Sequence, residues 1–168
     1  VAHGIIKGHN GAARINSQPG GDTTFDIFLP AGSGDAATAI PAPTNVYRGK
    51  GRILFVEDDP DQLEIIPRVL RNLGYQVEAC NGGRIAQKAI MDTIEPFNLI
   101  ITDYDMPDVN GIELAEAVRE KHPETPVLMV TGRKNPVAMA SRIDSIRKVI
   151  IKPYNKAILS EAIREVLE

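Results

Sequence analysis

Four short apolar runs in this chain each stop at a charged or hydroxyl residue. Ile53-Leu54-Phe55-Val56 stops at Glu57-Asp58-Asp59, and Leu99-Ile100-Ile101-Thr102 stops at Asp103. Val127-Leu128-Met129-Val130 stops at Thr131, and Val149-Ile150-Ile151 stops at Lys152. Segments with helical spacing separate the runs, which predicts parallel strands covered by helices on both faces. Ligands of such open sheets bind outside the carboxyl ends of the strands. The pattern therefore brings several acids, a hydroxyl and an ammonium to one crevice. That inventory suits a metal ion beside a phosphoryl group.

The same pattern predicts strands at 52–57, 76–80, 97–102, 126–130 and 147–151. Helices are expected after Asp59 and at about 83–93, 111–121, 135–143 and 156–167. Asp59 is placed to cap the first helix, with Pro60 at its first position. Leu63, Ile66, Leu70 and Leu73 form its apolar stripe, and Gly74 supplies the exit. Pro67 lies inside it and predicts a kink, since an interior proline removes one backbone bond at a cost of roughly 3 kcal/mol. Strict alternation implies right-handed crossovers and an α/β fold. The expected architecture is a five-stranded parallel sheet of order 2-1-3-4-5, flavodoxin-like, with five flanking helices.

Upstream of this block the character changes. Residues 31–49 are rich in Ala, Gly and Pro without apolar periodicity and read as a linker, while Ile27-Phe28-Leu29-Pro30 looks like a strand end. The expected division is 1–30, a linker at 31–49, and a main domain at 50–168.

Composition narrows the classes. The 168 residues leave room for one ordinary domain and something smaller. A net charge of −3 gives no basic field for nucleic acid. The single cysteine, Cys80, excludes an internal disulfide framework and fits a reducing, cytoplasmic setting as a small core residue. No apolar stretch approaches the ~20 residues of a membrane helix, so no membrane contact by this segment is expected. The chain starts on Val1 without a signal peptide and reads as a fragment, of a parent that could itself be membrane-associated.

Residues 51–168 resemble a response-regulator receiver domain, the phospho-aspartate module of two-component signalling. The motifs that carry the resemblance are Val56-Glu57-Asp58-Asp59-Pro60-Asp61, Asp103-Tyr104-Asp105-Met106-Pro107-Asp108-Val109-Asn110-Gly111, Val130-Thr131-Gly132 and Lys152-Pro153-Tyr154, in the family's order. The resemblance assigns Asp103 as phosphoryl acceptor, a carboxylate nucleophile of the kind that forms acyl phosphates. It implies Mg²⁺, a hard cation with oxygen ligands. Asp58 and Asp103 would bind it directly with the backbone carbonyl of Asp105, and Glu57 through water. Asp59 fills a less constrained position, where a helix cap without a metal role is the simpler reading. Lys152 would place its ammonium on a phosphoryl oxygen where charge builds up, and Thr131 would donate its hydroxyl to another. The Lys-Pro peptide bond is commonly cis in this family.

Two positions depart from or elaborate the pattern. Val149 stands where the family often has Tyr or Phe, so the usual aromatic switch is missing or altered. Asp105 and Arg133, two beyond the acceptor and two beyond the threonine, carry opposite charges. They either pair across the site mouth and lengthen the phosphoryl lifetime or remain two solvated loop charges.

The first thirty residues resemble the end of a histidine-kinase ATP-binding domain. The resemblance rests on Val1 to Gly11, with its glycines, and on Pro19-Gly20-Gly21-Asp22 running into Thr23 to Pro30. It covers only that domain's final helix and hairpin, and Asp22 replaces the usual second glycine. Neither His3 nor His9 is followed by an acid, so both read as bystanders, and His122 reads as a residue at a helix end. This stretch cannot bind ATP or act as a kinase by itself.

Together these readings predict the carboxy-terminal part of a hybrid sensor histidine kinase. Its receiver would take phosphate from phospho-histidine onto Asp103 and pass it to a histidine phosphotransfer protein or alter kinase output. The partners implied are a histidine kinase or a phosphotransfer protein. A homodimer is possible through the face of the fourth helix, fifth strand and fifth helix, with Ala138, Arg142, Arg147 and Lys148. The stop at Glu168 leaves no DNA-binding domain. Three alternatives stand: a single-domain response regulator, a docking module that works without phosphorylation, and a metal-dependent phosphohydrolase. The last would need its aspartate nucleophile after the first strand.

Overall fold

The computed structural model describes residues 6–17, 20–30, 45–133 and 143–168. The chain divides into two units, Val1–Ile40 and Pro41–Glu168. Among the described residues no helix is long and apolar enough to cross a membrane.

In the first unit β1 (Ala12–Ser17) and β2 (Thr23–Phe28) form an antiparallel hairpin. Its register places Ile15 opposite Phe25 and Ala13 opposite Ile27 on one face. The other face carries the Arg14–Asp26 ion pair at 3.0 Å and the Asn16–Thr24 pair. Ile15, Phe25 and Ile27 are exposed. Two strands alone cannot build a core, which fits the exposure of the apolar face.

The second unit alternates β3 (Arg52–Glu57), α1 (Pro60–Asn72), β4 (Gln76–Asn81), α2 (Gly83–Asp92), β5 (Leu99–Asp103), α3 (Gly111–Lys121), β6 (Val127–Thr131), β7 (Ile146–Ile151) and α4 (Lys156–Leu167). The five strands are parallel and ordered β4-β3-β5-β6-β7, which is the expected 2-1-3-4-5. The predicted helix at 135–143 falls almost wholly outside the described residues, as do the proposed linker residues 31–44. Helix α1 runs unbroken through Pro67.

Strand alternation divides the core in two. Ile53, Phe55, Leu99, Ile101, Leu128, Val130 and Ile150 pack with Leu70, Leu73, Leu159 and Ile163 on the α1/α4 side. Leu54, Val56, Ile100, Val127 and Met129 pack with Ala86, Ile90, Leu114 and Val118 on the α2/α3 side. Strands covered on both sides must be apolar at consecutive positions, hence the continuous runs in the sequence. The segment before β3 is tied to this unit: Tyr47 N donates to Ser160 Oγ at 3.2 Å, and the Arg164 guanidinium stacks 4.3 Å from the Tyr47 ring centroid.

Candidate functional site

The parity that sorts the core also aims the site. Glu57 follows Ile53 and Phe55, Asp103 follows Leu99 and Ile101, and Lys152 follows Ile150, so all three continue the α1/α4 side at the carboxyl end of the sheet. Glu57 and Asp103 are buried, at 2 % and 6 % exposure, where unpaired carboxylates are costly. Lys152 compensates both, with Nζ 2.8 Å from Glu57 Oε2 and 3.2 Å from Asp103 Oδ1. The first contact is a hydrogen bond. The second is an ion pair without hydrogen-bond geometry, and among the described residues Asp103 Oδ1 is buried without a hydrogen-bond donor.

Ligand oxygens of Glu57, Asp58 and Asp103 lie within 4.8 Å of one another. Three carboxylates, one of them with an orphaned buried oxygen, form a hard, anionic donor set that fits a divalent cation. Burial pushes the Glu57 carboxyl up despite the opposing hydrogen bond from Lys152, and Asp103 pushes it the same way. Burial alone would lower the Lys152 ammonium, but Glu57 and Asp103 outweigh it and hold it above its ordinary value. Tyr154, two residues on, is pushed up to about 12 by burial. The Lys152–Pro153 peptide is cis.

Thr131 ends β6 fully buried, its Oγ1 accepting from Arg133 N at 3.1 Å. Arg133 and Asp105 do pair: Nε lies 3.0 Å from Oδ1, and the guanidinium sits 4.6 Å from the Tyr104 ring centroid. Asp59 caps α1, Oδ1 accepting from Asp61 N and Gln62 N, and it stands apart from the acidic cluster. Val149 packs partly buried against the α2/α3-side core. On the expected partner face Arg147 is exposed and Lys148 pairs with Glu165, while Ala138 and Arg142 lie outside the described residues.

The chain spacing around Asp103 is set by close backbone approach. A Cβ on Gly111 would stand 2.6 Å from the Asp103 carbonyl oxygen, so only glycine lets α3 start so near the end of β5. Periodicity and motif spacing did not single out Gln62, whose amide reaches Glu57 and Lys152 from the first turn of α1. Its signal was its place in the turn that follows the acidic motif.

Residues 53–164 match the response regulator receiver domain. The chain belongs to that family. The receiver is 35% identical over 118 residues to the response regulator receiver protein CpdR of Brucella abortus, covering 69% of this chain and 96% of CpdR. It is 33% identical over 132 residues to sensor protein EvgS of Escherichia coli O157:H7, covering 76% of this chain but 11% of EvgS. Among solved structures it resembles response regulator protein TrrA of Thermotoga maritima in complex with Mg(2+)-BeF. That match has 26% identity and a TM-score of 0.62, over 69% of this chain and 98% of the other.

Proposed function

We propose that this receiver accepts a phosphoryl group from phospho-histidine onto Asp103. The observation that carries the reading is Asp103 Oδ1, buried, without a hydrogen-bond donor among the described residues, and 3.2 Å from the Lys152 ammonium. The carboxylate oxygen attacks phosphorus in line as the phosphorus–nitrogen bond of the donor breaks. The electron pair stays on the departing imidazole, which leaves neutral after taking a proton from solvent. Lys152 neutralises charge on one phosphoryl oxygen, and the Thr131 hydroxyl donates to another. Mg²⁺ would fit this donor set, with Glu57, Asp58, Asp103 and the Asp105 carbonyl as the residues that would hold it, and when bound it would supply further positive charge against the phosphoryl oxygens. The TrrA structure, with its Mg(2+)-BeF, supports that assignment.

The context we propose is the carboxy-terminal part of a hybrid sensor histidine kinase, cytoplasmic, with a kinase-domain remnant at 1–30, a linker at 31–49 and the receiver at 50–168. The match to part of EvgS and the amphipathic hairpin support it. The partners are then a histidine kinase or a histidine phosphotransfer protein, with self-association through the β7–α4 side. A single-domain response regulator is the second reading, favoured by the match along nearly all of CpdR.

The deciding measurement is intact protein mass after incubation with a small phosphodonor and Mg²⁺. Wild type should gain one phosphoryl group and Asp103→Asn none. No gain in either, with the fold intact, would favour a docking module that works without phosphorylation.

A further inference from the structure

Gln62 is the third residue of α1, three positions after the cap Asp59. An Asp-x-x-Gln pattern at a helix start ordinarily closes a capping box, with the glutamine side chain returning to the N–H of the cap. Here that N–H is engaged elsewhere: Asp59 N donates to Glu57 Oε1 at 3.4 Å. The Gln62 side chain turns to the site instead. With its amide set so that donor meets acceptor, its nitrogen donates to Glu57 Oε2 at 3.3 Å and its oxygen accepts from Lys152 Nζ at 3.2 Å.

An ammonium has three N–H donors and no acceptor. Lys152 has three acceptors around it: Glu57 Oε2 at 2.8 Å, the Gln62 oxygen at 3.2 Å and Asp103 Oδ1 at 3.2 Å. Glu57 and Gln62 take hydrogen bonds, while Asp103 receives only the misaligned ion-pair contact. The ammonium is thus anchored by Glu57 and Gln62 on one side and lies 3.2 Å from Asp103 Oδ1 on the other. A neutral amide suits this task, because a second carboxylate would compete with Asp103 for the lysine.

We propose that Gln62 is a positioning residue, holding the Lys152 ammonium against Glu57 so that one N–H remains directed to an oxygen on Asp103. The inference rests on the phosphoacceptor reading of the site. Gln62→Met keeps the side-chain length and removes both donor and acceptor. Phosphoryl uptake from a small phosphodonor with Mg²⁺ should slow about tenfold, the usual scale for losing a supporting partner of a site residue. The donor concentration at half-saturation should not change. In a Lys152→Ala background the same substitution should cost nothing more, because the amide acts through the ammonium. An equal loss in both backgrounds, or none in the first, overturns the inference.

A second readout needs neither phosphoryl transfer nor metal. Nitrogen-15 NMR of the lysine ammonium groups should show a Lys152 signal shielded from water exchange in wild type. Gln62→Met should lose it, and Gln62→Glu, which keeps an acceptor, should retain it. A shielded signal that survives Gln62→Met overturns the positioning role. It does so even where wild type takes up no phosphoryl group, a result that removes the phosphoacceptor reading instead.

Discussion

Arg133 holds Asp105 through its guanidinium fork and lays the same group over Tyr104, next to Asp103 in the chain. A planar cation that pairs and stacks at once is hard to replace with lysine. Asp105 lies two residues beyond the proposed acceptor and Arg133 N donates to Thr131 Oγ1, so Arg133→Ala should release phosphate from Asp103 a few-fold faster. The half-life of the phosphoprotein by intact mass checks it, and an unchanged half-life leaves the two residues a surface ion pair without that role. Cys80 makes the opposite case, a reactive residue type kept inert. It is 5 % exposed on β4, and burial raises its thiol, with Glu78 adding to the effect. Its folded pKa lies above the unfolded value of about 8.5, so the neutral thiol contributes stability below that pH and loses it as pH rises further. Native protein at pH 8 should resist iodoacetamide, and urea-unfolded protein should react fully.

At the scale of elements, helix starts do much of the positioning. The capping box of α3 is complete: Asn110 Oδ1 accepts from Ile112 N and Glu113 N, and Glu113 returns to Asn110 N at 2.9 Å. That helix begins against Asp103, with Gly111 N donating to Tyr104 O at 3.1 Å. Asn110→Ala should therefore cost about 1 kcal/mol, read as a lower urea midpoint with an unchanged slope. Helix α1 shows how a local rule yields to a site. Its Asp-x-x-Gln start carries the letters of a capping box, yet Glu57 engages the cap N–H and Gln62 faces Lys152.

For the whole molecule, the acidic cluster couples ligand to stability. Glu57, Asp58 and Asp103 crowd one end of the sheet, and Lys152 cannot neutralise all three. A cation bound only by the folded state should add about 2.7 kcal/mol at a hundredfold excess over its Kd. Thermal unfolding should show this rise with Mg²⁺ for wild type and a much smaller one for Asp58→Asn. An equal rise in both would separate the stabilisation from the proposed site.

The order of strands, the covering of the sheet on both faces and the placement of Asp103, Thr131 and Lys152 at the strands' carboxyl ends were legible in the chain. Strands buried on both faces require unbroken apolar runs, and the residue that ends each run must sit at the sheet's carboxyl edge. The start of α1 was equally plain, because Asp59 and Pro60 answer to local backbone chemistry. Tertiary structure alone decided the rest. Whether Arg133 meets Asp105, where Tyr47 rests on Ser160 and Arg164, and which way Gln62 turns depend on groups far apart in sequence. Periodicity places a side chain on a face, but the partner it finds there is set by how separate elements converge.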